Sequence, residues 1–228
     1  MRAGSWPRRP EPVLSASFQS LTERLTRLLW IVFAIDVVAL VFDLWERIIA
    51  FQMRNGAVGD AITAAASASD NRQMVIGYLQ LGFFITTAVI AAVWIRRANM
   101  NARLLGAREM RFTPNWSIGW YFVPIANLFM PYQSMAETWR ASSGRPDWKN
   151  EPVPDFLKYW WALWLAANIV GQIAAQLYMK VSDPESLILG NTAYLVADGI
   201  SAVLDLVFLQ LVQQLSERQA QTAPRKHS

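Results

Sequence analysis

Residues 112–139 read FTPNWSIGWYFVPIANLFMPYQSMAETW, and the rest of the chain is arranged around them. The stretch is apolar enough to leave water, but three prolines and a central asparagine keep it from being one membrane-crossing helix. Thr113 before Pro114 is a helix start: a hydroxyl cap, then a residue whose missing N–H costs nothing at the first helical position. Pro124 must break or kink that helix, because it removes a backbone donor and its ring strikes the preceding turn. Pro131 can open a second short helix with Met135 and Trp139 on one face. Two half-helices around residues 123–127 are expected, with Asn127 supplying hydrogen bonds to the break and Trp116 and Trp120 sharing a face. The apolar part, residues 116–131, would be roughly 24 Å long if fully helical, against a hydrocarbon core of about 30 Å. It is expected to be re-entrant or to lie at the interface.

Outward from this stretch, four apolar runs at about 28–49, 74–95, 159–179 and 187–211 each approach the roughly 20 residues a spanning helix needs. Hydrophobic residues make up 54% of the 228, with 11 tryptophans, and the mean hydropathy is +0.19. The fold class predicted is an all-α integral membrane protein of four transmembrane helices, with the broken segment between the second and third. Residues 1–24, rich in Pro, Ser and Arg, and 216–228 are expected to be cytoplasmic tails around a membrane domain over 25–215. No apolar stretch in the first 20 residues resembles a cleaved signal. With both termini cytoplasmic, only Arg47, Arg54, Arg72 and Lys180 of the 21 Lys and Arg residues fall outside, as the positive-inside rule prefers. Residues 52–73 read as an external loop with one Ala-rich turn, and Tyr159, Trp160, Trp161 and Trp164 as an interfacial aromatic belt.

Several residues in and before the central stretch resemble a family signature: Trp94, Arg97, Asn101, Thr113-Pro114, Trp116, Gly119-Trp120, Pro124, Asn127, Pro131-Tyr132, Glu137 and Trp139. They are similar to the bacterial membrane family called domain of unknown function 4328. Asn115 stands where that pattern has a glycine, and Phe129-Met130 where it has a tryptophan. The resemblance implies the membrane topology and little chemistry.

Composition narrows the function classes. There is no cysteine, and the single histidine, His227, lies in the C-terminal tail, so no haem, copper or zinc centre, no other metal and no cofactor is expected. The net charge of +4 sits beside apolar runs, where it meets anionic headgroups, and no nucleic-acid motif stands out. Catalysis is not expected. The signatures of intramembrane aspartyl proteases are absent, and Asp198-Gly199 opens a lipid headgroup transferase motif that fails at Val203.

The remaining signal is polar residues inside the apolar runs. By distance from the helix ends, Asp36, Thr86, Asn168 and Asp198 lie roughly 12 to 17 Å deep at 1.5 Å per residue and are predicted to form a midplane layer. Asp43, Gln80, Gln176 and Asn191 form a second, outer layer. Asn191, Asp198 and Asp205 share a face at spacing seven, and Asn168, Gln172 and Gln176 share one at spacing four. Asp43 precedes Arg47 by four, the favourable order for a helix pair. A charged aspartate at bilayer depth costs about 2.5 kcal/mol or more, so these side chains should face the bundle interior, with at least one of Asp36 and Asp198 keeping its proton. Structural glue is one reading, and it goes with a scaffold or accessory protein whose partners are the lipid bilayer and a membrane protein or a second copy. The alternative is a small transporter or channel-like protein handling a cation, proton or small polar molecule through the polar layer.

Overall fold

A computed structural model describes residues 16–223. The remainder of the expected N-terminal tail, 1–15, and 224–228 with His227 lie outside the described residues. Among the described residues there is no strand. The described residues form six α-helices: α1 Ala16–Arg54, α2 Asp60–Leu104, α3 Trp116–Gly119, α4 Met130–Ala141, α5 Asp155–Tyr178 and α6 Pro184–Thr222. α1, α2 and α6 are long and apolar enough to cross a membrane. α5 has the length, at 24 residues, but is not among the helices that are both long and apolar enough to cross.

Three expectations about boundaries need correction. Helix α2 begins at Asp60, so most of the expected external loop is helical. The run AITAAASASD is rich in alanine, the best helix former, and joining a long helix removes the nucleation cost that would defeat it alone. The N-terminal tail ends earlier than residue 24, since α1 starts at Ala16 and buries Phe18. Residues 216–222 are the last turns of α6 and not a tail, because Leu211, Val212, Leu215 and Gln219 form one fully buried face there.

The chain divides into two compact units. One comprises 25–91 and 154–211. It buries Asp36, Asp43, Glu46, Thr87 and Asn191 while leaving Trp30, Val41, Trp45, Ile48, Phe84 and Ile169 exposed. A water-soluble bundle has the opposite arrangement, so this inversion suits a lipid surround. At the start of α6, Asp183 Oδ1 accepts the N–H groups of Glu185 and Ser186, both at 2.9 Å, and Ser186 Oγ accepts the N–H of Asp183 in return at 3.1 Å. These bonds, that from the Ser186 N–H foremost, hold the Asp183 carboxyl below the usual range.

The other unit comprises 16–24, 92–153 and 212–223. Its centre is Trp94, which stacks on Phe18 with ring centroids 6.4 Å apart and donates from Nε1 to Thr22 Oγ1 at 3.1 Å. Small residues Ala98, Ala102 and Ala141, all fully buried, let the surrounding segments approach closely. The broken stretch belongs to this unit. Thr113 Oγ1 accepts the N–H of Trp116 at 3.3 Å, which starts α3 as expected. A 3-10 turn over Trp120–Phe122 follows, and then Val123 is extended at φ −93° and ψ 115°. Helical conformation is disfavoured immediately before a proline, so the helix stops short of Pro124 instead of kinking through it. The first half-helix is therefore little more than a turn, while the second, α4, is a full helix with Pro131 in its first turn.

Candidate functional site

In the unit holding 25–91 and 154–211, polar side chains of α1, α2 and α6 meet along a common seam. Gln80 Nε2 donates to Asp36 Oδ1 at 3.1 Å and to Asp198 Oδ1 at 3.2 Å, tying three helices through one amide. Gln73, seven residues earlier, donates to Asp43 Oδ1 at 2.9 Å. Beyond it, Glu46 accepts from Asn191 Nδ2 at 2.8 Å and from the Tyr178 hydroxyl at 3.0 Å. Asn191 Nδ2 also reaches the carbonyl of Asp43 at 3.0 Å.

Asp205 lies near Asp36 and Asp198 near Asp43, so the acids neighbour one another along the seam. Asp43 Oδ2 and Asp205 Oδ2 are buried with no N–H or O–H donor, as are Asn191 Oδ1 and the hydroxyl of Thr87. None of the five acids has an ion-pair partner among the described residues. Arg47 does not meet Asp43 and instead donates to Thr192 Oγ1.

The seam draws on both predicted layers and omits part of each. Asp36, Asp198, Asp43, Gln80 and Asn191 lie in it. Thr86 does not: it is exposed and bonds the carbonyl of Gly82 in its own helix at 2.9 Å. Asn168 likewise bonds the carbonyl of Trp164 at 2.7 Å on an exposed face of α5, and Gln172 and Gln176 share that exposure. Glu46, Gln73 and Asp205 complete the seam. One sequence signal could have found two of them: spacing seven recurs as Gln73, Gln80 and Thr87 on α2, Asp36 and Asp43 on α1, and Asn191, Asp198 and Asp205 on α6.

The signature residues gather in the other unit as a hydrogen-bonded frame. Asn101 Nδ2 donates to Gln219 Oε1 at 3.1 Å, and Gln219 Nε2 donates to the carbonyl of Ala98 at 2.8 Å and to Ser142 Oγ at 2.9 Å. Glu137 accepts the backbone N–H groups of Arg111 and Phe112 at 2.7 and 2.9 Å, fastening that segment to α4. Arg97 reaches Ser17 Oγ, and the Arg218 guanidinium lies over the Trp139 ring while bonding its carbonyl.

At the break, Trp116 and Trp120 share a face, with rings 4.7 Å apart. A Cβ on Gly119 would come within 2.9 Å of the Trp116 ring, so only glycine lets that ring fold back. The asparagine expectation is corrected here. The Asn127 side chain makes no hydrogen bond among the described residues, and the backbone closes the break itself. The N–H of Asn127 reaches the carbonyl of Val123 at 2.9 Å, and that of Ala126 reaches Pro124 at 2.7 Å across Ile125. Ile125 consequently sits at φ 65° and ψ −50°, a γ-turn that a β-branched residue adopts only under strain.

No curated protein and no solved structure matches the chain. The pattern quoted from Trp94 to Trp139 falls inside a family match over residues 59–217, and the chain belongs to the family described as domain of unknown function (DUF4328).

Proposed function

We propose that the protein is a non-enzymatic, multi-pass protein of the bacterial cytoplasmic membrane that handles protons or a small monovalent cation through the carboxyl seam of α1, α2 and α6. The observation that carries this reading is the gathering of Asp36, Asp198 and Asp43 on the Gln80 and Gln73 amides, with no basic partner among the described residues and with Asp43 Oδ2 and Asp205 Oδ2 buried without a donor. Helices that only need holding together can use amides and hydroxyls, worth on the order of 1 kcal/mol each. Acids at that depth cost about 2.5 kcal/mol or more apiece, and an exchangeable proton or cation is what they add. Carboxyls strung along a seam suit proton transfer better than a divalent site, which needs more oxygens around one point.

In this reading α5 is a fourth span, entered through its Trp160, Trp161 and Trp164 belt, and both termini are cytoplasmic. The broken stretch lies in the interface, which is supported by the exposure of Trp116, Phe122, Ile125 and Leu128 on a segment too irregular to cross.

The test is vesicle reconstitution with an imposed potential and a luminal pH dye. The parent should carry protons, and D36N/D198N should fold yet lose that flux, because asparagine keeps volume and hydrogen bonding but cannot ionise. Absence of flux in the parent, together with a melting temperature indifferent to Na⁺, K⁺ and pH, would remove this reading.

One observation favours a second reading, a scaffold that associates with a membrane partner or with itself. Asn168, Gln172 and Gln176 stripe an exposed face of α5; Asn168 bonds only a carbonyl of its own helix, and the Gln172 and Gln176 amides have no partner among the described residues, a lack that another helix could fill. Disulfide crosslinking of Gln172→Cys in membranes would support it, and a monomer without crosslinks would count against self-association.

A further inference from the structure

A concave feature with charged walls lies apart from the seam residues. In the unit of 16–24, 92–153 and 212–223, a cavity of about 420 Å³ opens between the 109–112 segment, α4 and the 148–149 turn. Its apolar side is Phe112, Ala136 and Trp148, all buried. Its polar side is Arg111, Tyr132, Gln133, Arg140 and Lys149.

The two acids of the cavity are already engaged. Both oxygens of Glu137 are held by backbone N–H groups, and Glu109 is paired with Lys149 at 2.9 Å, which keeps its carboxyl below the usual range. Arg111 and Arg140, in contrast, have no carboxylate partner among the described residues. Arg140 spends only Nε, on the carbonyl of Glu151 at 3.0 Å, and Arg111 touches only the Gln133 amide oxygen at 3.4 Å and the Phe112 ring face. The Tyr132 hydroxyl and the Gln133 amide nitrogen donate to nothing among the described residues. Guanidinium groups are the preferred donors to planar or tetrahedral oxyanions, and here two of them, neither with a carboxylate partner among the described residues, line one pocket together with a phenol and an amide.

We propose that this pocket binds a phosphate group, carried by a phospholipid headgroup or free in solution. The volume is at the small end of ligand pockets, enough for phosphate with its substituent, and the Phe112 and Trp148 wall would take the substituent's apolar part.

The test uses full-length protein in neutral detergent at constant ionic strength and reads thermal stabilisation by inorganic phosphate, dioctanoyl phosphatidic acid and phosphate-free dioctanoylglycerol. A saturable shift with phosphatidic acid alone assigns the site to a lipid headgroup, and a shift with inorganic phosphate assigns it to soluble phosphate. R111Q should weaken the effective probe about tenfold, and R111Q/R140Q should abolish its effect. R111Q keeps the backbone bond to Glu137, so folding is retained. R108Q, an exposed charge change of the same sign outside the pocket, should leave binding as it was. The proposal fails if neither phosphate probe stabilises the protein, if dioctanoylglycerol acts as well, or if R108Q weakens binding as much as R111Q.

Discussion

Replacing Gln219 by Leu tests whether the last turns of α6 are a folded part of the molecule. Gln219 is fully buried and makes three hydrogen bonds, at 2.8, 2.9 and 3.1 Å, to Ala98, Ser142 and Asn101. Leucine has nearly the same volume but none of these groups. Each bond contributes about 1 kcal/mol net, and the Asn101 amide, 5% exposed, would lose its acceptor at a further cost of about 1–3 kcal/mol. Leucine's own burial offsets about 1–2 kcal/mol, leaving a loss of about 3 kcal/mol. Such a loss corresponds to roughly 150-fold in a local opening equilibrium. Amide hydrogen exchange over residues 212–222 in micelles reads that opening directly and does not require global two-state unfolding. The pair N101L/Q219L should cost less than the sum of the single changes by about 1 kcal/mol or more, since each leucine then removes the other's unpaired partner. Gln221, exposed on the same turn, is the control. Equal protection in Q219L and Q221L, or strict additivity in the cycle, would refute the reasoning.

The other predictions concern topology, the α6 cap and the break. Single cysteines at Asn150 and Gln221, both exposed, should resist an impermeant thiol reagent in intact cells until permeabilisation, whereas one at Val58, 90% exposed, should react at once. Labelling at Asn150 or Gln221 would reverse the proposed orientation. The depressed Asp183 carboxyl contributes stability above the ordinary aspartate range, and that contribution disappears as pH falls through its lowered folded value. D183N, which keeps a capping oxygen, should show a shallower acid loss of melting temperature than the parent, while D183A should melt lower at every pH. Identical acid slopes in parent and D183N would refute the cap's role. Ile125→Gly should relieve the positive φ and raise stability in detergent by about 1 kcal/mol, and a drop measured by unfolding titration would show that the turn is not strained.

Features set by nearest neighbours along the chain were legible in the sequence. Thr113-Pro114 starts a helix, Pro124 ends one and Pro131 starts the next, because each acts through its own φ or missing N–H within one turn. The apolar runs at the centres of α1, α2 and α6 were equally plain, since membrane-scale hydropathy is a sum over local composition. Helix ends were misplaced where packing extended them, as with Phe18 and Gln219, whose buried partners are distant in sequence.

For the seam, the sequence determined depth and the tertiary structure decided direction. Rise along a helix is 1.5 Å per residue whatever surrounds it, so Asp36, Thr86, Asn168 and Asp198 could be ranked by depth from helix ends alone. Which of them meet depends on how each helix is turned about its axis. At about 100° per residue, Thr86 lies roughly 240° around α2 from Gln80, and Gln73 and Thr87 only about 20°. Packing turned the face of Gln73, Gln80 and Thr87 inward, left Thr86 and Asn168 to their own helical carbonyls, and brought Asp205 to Asp36. Rotation is fixed by contacts between segments more than a hundred residues apart, such as Gln80 with Asp198, and no local property of the chain encodes it.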